Sequence, residues 1–372
     1  MKTHNLQQKG ISYVTFTFLL ALYFALVVNI PIYKELNGIF SSLDNVKIGF
    51  IITIPIFFLA ALNFLFNLFS WPWVGKPFFI ILLIISSMVS YASYNYGTLF
   101  DSGMIANIAE TDSSEASSYL STYSVIWTLL MGGVPAMIVY KVKLQSQRHQ
   151  LLYFSLTKLV SMLSSLAVIA VIASVYYQDY ASVGRNNSYL KKIIIPTQFV
   201  YSATGYVKEK YFTTPEQYRE IGIDAKQSDS AVKQTQNKPT LLVFVVGETA
   251  RTQNYQLNGY KRETNPYTSK LDVISFQEVA SCGTATAVSV PCMFSQLTRS
   301  EFERTKADNQ DNALDIMQRA GVDLIWKEND GGDKEVAHKI KKIEVNRKQA
   351  SPLCNGQTCC DTALIDHFDQ EV

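Results

Sequence analysis

Apolar residues crowd the first half of the chain into five long runs, at approximately 13–33, 48–69, 77–96, 119–140 and 152–177. Each approaches the roughly 20 residues a helix needs to cross a bilayer. None carries the polar stripe that a water-facing helix requires. The pattern therefore predicts an all-α, five-span transmembrane domain over residues 1–178 rather than a soluble bundle. The first run is too long for a removable signal peptide and lacks its small-residue cleavage site. After residue 178 the pattern changes. Residues 179–238 are mixed. Within them Leu190-Lys-Lys-Ile-Ile-Ile-Pro196 reads as an amphipathic element on the membrane surface. The Ser-, Gln- and Lys-rich stretch 227–239 reads as a flexible linker. From 239 to 372 the pattern is α/β. Leu241–Val246 predicts a strand covered on both faces. Residues 312–321 predict a helix closed by Gly321, and Val322–Trp326 a second strand running into the polar loop 327–334. Ligands of open α/β sheets collect at the carboxyl ends of strands, which would place Glu248 and the 327–334 loop together.

Charge orients the spans. Lys2 and Lys9, Lys76, and the group Lys141, Lys143 and Arg148 fall on one side if the spans alternate. The connection 97–118 holds Asp101, Glu110, Asp112 and Glu115 and no Lys or Arg. The excess of basic residues in cytoplasmic loops then puts the amino terminus, His4 and His149 in the cytoplasm and everything after residue 177 outside. All five cysteines lie between 282 and 360, on that same outer side, where thiols oxidise to disulfides; the odd count leaves one over. The net charge is +2 over 372 residues, with no dense basic run, so nucleic acid is not an expected partner.

Two constellations carry candidate chemistry. Cys282-Gly-Thr-Ala-Thr-Ala-Val-Ser-Val-Pro-Cys292 brackets Thr284 and Thr286 between cysteines that can close a short, stiff loop. A threonine hydroxyl is a poor nucleophile at neutral pH and needs a metal or a base to take its proton. Glu248, directly after the Leu241–Val246 run, is a candidate ligand for such a metal. A helix starting near Thr286 would favour a bound phosphate. The competing reading is a Ser/Thr-rich cap stapled by a structural disulfide. In the acidic connection, Asn107, Thr111 and Glu115 are spaced i, i+4, i+8 and would share one face of a helix. That face is either a polar strip for a lipid head group or part of a solvated loop.

The segments Val246-Gly-Glu-Thr-Ala-Arg251, Asn258-Gly-Tyr-Lys-Arg-Glu-Thr-Asn-Pro266, Ser281-Cys-Gly-Thr-Ala-Thr-Ala-Val-Ser-Val-Pro-Cys-Met-Phe-Ser295 and Met104-Ile-Ala-Asn-Ile-Ala-Glu-Thr-Asp112 resemble the phosphoethanolamine transferases that modify lipid A, a family that includes the mobile colistin-resistance enzymes. The resemblance extends over nearly the whole chain. It implies a bacterial inner-membrane protein with a periplasmic, alkaline-phosphatase/sulfatase-like α/β domain. It implies that Glu248 and Thr286 bind Zn2+ and that Thr286 is the nucleophile. Thr286 would take phosphoethanolamine from phosphatidylethanolamine, release diacylglycerol, and pass the group to a lipid A phosphate, conferring polymyxin resistance. Asn107, Thr111 and Glu115 match head-group-binding residues, and Lys334 matches a basic residue that holds a phosphate.

Two departures follow from the same comparison. The family carries a later Ser-Asp-His-Gly-Glu-Ser segment and further histidines that complete the zinc site, and this chain stops before them. A truncated form with little turnover of its own is therefore an expectation, and a sulfatase- or phosphatase-like hydrolase is the alternative reading. Asp366-His367 lacks the Gly-Glu-Ser continuation and is not taken as a ligand pair. His338 and His367 read as surface residues. Cys354 and Cys359 match a short family disulfide, but Cys360 follows directly, and pairing of Cys354 with either neighbour stays open.

Overall fold

The computed structural model of the chain describes residues 10–43, 45–111, 120–145, 151–213, 217–235, 240–247, 250–329, 332–347, 352–354 and 359–366. The chain divides into two compact units, one of residues 1–109 and 116–213, the other of residues 110–115 and 214–372.

The first unit is helical. It comprises α1 (Tyr13–Val28), α2 (Ile30–Ser41), α3 (Ile48–Phe69), α4 (Gly75–Tyr96), α5 (Ser102–Glu110), α6 (Thr122–Lys141), α7 (Leu151–Asn186) and α8 (Thr197–Phe212). Among the described residues α3, α4, α6 and α7 are each long and apolar enough to span a membrane, and the α1–α2 pair makes a fifth span if counted as one. That pair covers the expected span at 13–33 and is broken within it. The chain bends by 50° at a break at Asn29. Pro31, in the first turn of α2, has no N–H to continue the helix. Asn29 is fully buried and takes over the loose ends. Its Nδ2 donates to the carbonyls of Phe24 at 3.0 Å and Ile195 at 2.6 Å, and its Oδ1 accepts from the Ile195 amide at 2.9 Å. α7 continues past the expected end at residue 177, but Tyr176 leaves helical geometry there, with φ −121° and ψ 17°.

Aromatic side chains fill the bundle core. Phe24, Phe66 and Phe79 meet edge to face, with ring centroids 5.0 and 5.2 Å apart. Gly132 allows α6 to approach α4 closely: a Cβ there would lie 2.4 Å from Ser87 Oγ. The outward faces stay apolar. Leu152, Val160 and Val171 on α7 are exposed, which suits a hydrocarbon solvent and not water. The Leu190–Pro196 segment is entered by a 3₁₀ helix at Ser188–Ile193, and its Leu190, Ile193 and Ile195 are buried in the bundle core.

The second unit contains α9 (Asp229–Thr235), α10 (Thr286–Phe294), α11 (Arg304–Asp308), α12 (Ala313–Arg319), β1 (Ile325–Glu328) and β2 (Lys341–Glu344). α9 falls inside the stretch expected as a flexible linker. β1 and β2 pair in parallel, from Ile325 opposite Lys341 to Glu328 opposite Glu344. α12 follows its sequence signals. Asn312 caps it by accepting from the Leu314 and Asp315 amides at 2.8 and 3.3 Å, and Asp315 accepts in return from the Asn312 amide at 2.9 Å. Gly321, with φ 83°, ends the turn beyond it. Leu314 joins Val290, Phe294, Val336 and Ala337 in a small core.

The expected strand Leu241–Val246 is not one. No described residue pairs with it, and Leu241 to Val245 stand exposed. A β-rich apolar run becomes a strand only where a neighbour supplies ladder hydrogen bonds. Phe244 and Val246 still touch the small core, Phe244 through a 6.0 Å edge contact with Phe294.

Candidate active site

Thr286 is the first residue of α10. Ala285 precedes it in extended geometry, φ −98° and ψ 138°, and provides no side-chain cap. Its carbonyl accepts from the amides of Val288 and Ser289 at 3.0 and 2.9 Å, which closes the first turn. The helix start thus carries a half-buried hydroxyl at a positive dipole end, the arrangement that favours a phosphoryl group. Val290 and Phe294, four and eight residues after Thr286 on the same side of α10, anchor the helix in the small core.

The loop before α10 is held from both sides. Cys282 and Cys292 form a disulfide with a Cα–Cα distance of 6.4 Å. Gly283 passes so near α10 that a Cβ would lie 2.9 Å from Val288 Cγ1. Ser281 Oγ donates to the Gly283 carbonyl at 2.7 Å. Thr284, the other hydroxyl of the pair, is exposed.

Lys334 lies in the same unit. It is buried, with a left-handed backbone at φ 52°. Its Nζ donates to the Glu110 carbonyl at 3.3 Å. Asp333 stiffens its loop, accepting from the Ala337 amide at 2.6 Å and from Lys342 Nζ at 2.7 Å. Lys334 also lines a cleft with Pro291, Asp308, Gln310 and His338. His338 is exposed and its Nδ1 lies 2.7 Å from the Glu335 carbonyl.

Sequence reasoning missed Arg304. Its guanidinium reaches the carbonyls of Ala287 at 2.6 Å and Lys334 at 3.2 Å, and both carboxylate oxygens of Asp308 at 2.7 and 2.8 Å. Glu110 Oε2 is 3.4 Å away. Burial works against the Arg304 charge, but Asp308 and Glu110 outweigh it and hold the guanidinium above its ordinary pKa. Burial, opposed by Arg304 and reinforced by Glu110 and Glu335, leaves Asp308 above the usual carboxylate range. No motif announces Arg304. The signal available was Pro291, which inside a helix leaves a backbone carbonyl in need of a donor.

The other candidates scatter. Glu248 and Glu115 lie outside the described residues. Asn107 is on α5, which ends at Glu110; Thr111 therefore follows the helix instead of sharing its face. Asp101 starts α5 by accepting from the Met104 amide at 3.1 Å, and pairs with Lys192 at 2.9 Å. Burial raises the Asp101 pKa, but Lys192 and the Met104 amide win and leave it lowered. Cys354 is bonded to Cys359, and Cys360 is an exposed thiol.

Among the described residues no three His, Cys, Asp or Glu side chains converge to hold a metal. Glu248 and Thr286 offer oxygen donors of suitable chemistry, but a catalytic zinc normally takes three protein ligands. The described residues do not complete such a site.

Comparison with known proteins supplies the frame for these groups. Residues 58–211 match the family described as phosphoethanolamine transferase EptA/EptB, and residues 240–372 match the sulfatase family. The chain is 31% identical over 372 residues to the phosphoethanolamine transferase EptA of Escherichia coli K12, covering 99% of this chain and 66% of the relative. It is 32% identical over 362 residues to the phosphatidylethanolamine transferase Mcr-1 of Escherichia coli, covering 95% and 66%. The solved integral membrane protein lipooligosaccharide phosphoethanolamine transferase A from Neisseria meningitidis matches with a TM-score of 0.85 and 31% identity, over 98% of this chain and 67% of that one. The chain thus spans about two thirds, 66%, of the length of the curated relatives it matches. The likeness bears out the expected architecture of a helical membrane region followed by a sulfatase-like domain.

Proposed function

The chain belongs to the phosphoethanolamine transferase family, and we propose that the protein it forms moves phosphoethanolamine from phosphatidylethanolamine to a lipid A phosphate by way of Thr286. The observation that carries the reading is the placement of Thr286. It is a hydroxyl on the first residue of a buried-anchored helix, inside a disulfide-closed loop, with Lys334 in the same unit.

The chemistry divides into two displacements. In the first, Thr286 Oγ attacks the donor phosphorus. The Oγ–P bond forms, the bond from phosphorus to the diacylglycerol oxygen breaks, and the hydroxyl proton ends on that oxygen. In the second, the oxygen of a lipid A phosphate hydroxyl attacks the phosphothreonine phosphorus, a new P–O bond forms, the P–Oγ bond breaks, and the proton of that hydroxyl ends on Thr286 Oγ. The start of α10 and the Lys334 ammonium stabilise the charge that builds on the phosphoryl oxygens. A zinc ion at Glu248 and Thr286 would lower the pKa of the hydroxyl. Asn107, Thr111 and Glu115 are proposed to bind the donor head group. The proposed setting is the bacterial inner membrane, with Thr286 on the periplasmic side. The added ethanolamine ammonium offsets a lipid A phosphate charge and weakens attraction for cationic peptides such as polymyxin.

A sulfatase-like hydrolase, with water as the final acceptor, is the second reading. It draws on the sulfatase match over 240–372, and the match over 58–211 to phosphoethanolamine transferases favours transfer. The intact protein, supplied with ethanolamine-labelled phosphatidylethanolamine, should carry label on Thr286 and pass it to lipid A. Label released as free phosphoethanolamine in the presence of lipid A points to the hydrolase. Undiminished transfer by Thr286→Ala overturns the assignment of the nucleophile.

A further inference from the structure

Pro291 sits inside α10. It has no N–H, so the carbonyl of Ala287, four residues earlier, has no helical donor. Ala287 is 2% exposed, and a buried carbonyl left without a partner is costly. Arg304 Nη1 occupies that place, donating to Ala287 O at 2.6 Å. Nη2 of the same guanidinium donates to Lys334 O at 3.2 Å. Asp308 holds Nε through both oxygens, and Glu110 Oε2 stands 3.4 Å from Nη1. One planar cation therefore ties the backbone beside Thr286 to the backbone of Lys334. A lysine could not span both carbonyls, because its single ammonium lacks the rigid fork.

We propose that Arg304 is a positioning residue for the phosphoryl transfer: by standing in for the amide that Pro291 lacks, it fixes the first turn of α10, and with it the Thr286 hydroxyl, relative to Lys334. The inference rests on the reading of Thr286 as nucleophile. Proline 291 is what makes the role specific. With an ordinary residue at 291 the helix would serve its own carbonyl, and Arg304 would have less to do.

The test is a rescue. First-turnover phosphorylation of Thr286 by phosphatidylethanolamine in detergent micelles is followed in the intact protein, recording rate constant and amplitude separately. Arg304→Ala should slow the rate constant by ~10²-fold, the scale of a small misplacement of a reacting group. Introduced into a Pro291→Ala background, where residue 291 again donates to Ala287 O, the same change should cost about 10-fold or less, because contacting sites couple. Arg304→Gln, which keeps one amide donor, should fall between the two and serves if Arg304→Ala does not fold. A merely structural role lowers the amplitude, which counts folded molecules, and leaves the rate constant unchanged; that result overturns the proposal. So does an equal loss in both backgrounds. Labelling that persists in Thr286→Ala instead removes the nucleophile assignment beneath it, a distinct outcome.

Discussion

Asp311 offers the sharpest test of how the second unit is held together. Its carboxylate is 1% exposed and accepts four hydrogen bonds: from Tyr218 Oη at 2.7 Å, the Ile221 amide at 3.2 Å, Arg319 Nη2 at 2.6 Å and Lys339 Nζ at 2.7 Å. Lys339 also contacts Tyr218 Oη. Backbone bonds run alongside, from Arg219 N to Asn309 O at 2.9 Å and from Asp311 N to Arg219 O at 3.1 Å. One buried anion thus fastens residues 218–221 to the start of α12. Asp311→Ala leaves two cations, a hydroxyl and an amide without their acceptor. Removing one partner of a buried charged cluster costs about 3–5 kcal/mol. The side chains of Lys339 and Arg319 are 37% and 29% exposed and regain some hydration, so a loss near the lower end, about 3 kcal/mol, is expected.

The cluster also dictates a pH dependence. Burial raises the Asp311 pKa, but Lys339, Arg319 and Tyr218 outweigh it and hold the carboxyl well below its ordinary 3.8. A carboxyl depressed on folding stabilises fully above its unfolded value, and that stability is lost as pH falls below about 3.8 toward the folded value. For Lys339, burial pulls the pKa down, yet Asp311 and Tyr218 prevail and raise it above 10.5. Its contribution is full below 10.5 and is lost as pH rises through the folded value. Hydrogen exchange of the Arg219 and Ile221 amides, with denaturant unfolding of the second unit, measures both effects. Asp311→Ala should speed exchange at those amides and flatten the acid limb of stability. Wild-type exchange and an unaltered acid limb in the variant would refute the account.

Further outcomes follow from the site and the bundle. Thr286→Ala should abolish labelling from phosphatidylethanolamine while leaving the unfolding midpoint close to wild type, since the hydroxyl is at a helix start and not in the core. Gly283→Val should destabilise the α10 loop by about 1–3 kcal/mol, the usual range for overpacking, because a Cβ alone would lie 2.9 Å from Val288 Cγ1; thermal unfolding reads this. Asn29→Leu removes both bonds to Ile195 and leaves buried backbone groups unpaired at about 1–3 kcal/mol each; faster proteolysis at 188–196 in detergent should report it.

The membrane half was legible because lipid imposes a simple rule. An uninterrupted apolar run of sufficient length must close its own backbone hydrogen bonds, and α3 at Ile48–Phe69 coincides with the expected run. The α12 cap was legible for a similar reason: Asn312, Asp315 and Gly321 act on neighbours a few residues away. The Cys-Gly-Thr-Ala-Thr segment carries the resemblance to the family.

What the one-dimensional pattern could not contain was every contact between residues far apart in the chain. The break at Asn29 depends on a carbonyl and an amide 166 positions later. Leu241–Val246 has the composition of a strand, yet strand formation needs a neighbouring ladder, and no described residue supplies one. No motif in the sequence marks Arg304 or Asp311. Only the tertiary structure brought Arg304 to the carbonyl orphaned by Pro291, and Asp311 beneath Tyr218 and Lys339, because the partners that give these charges their roles lie 17, 93 and 28 residues away.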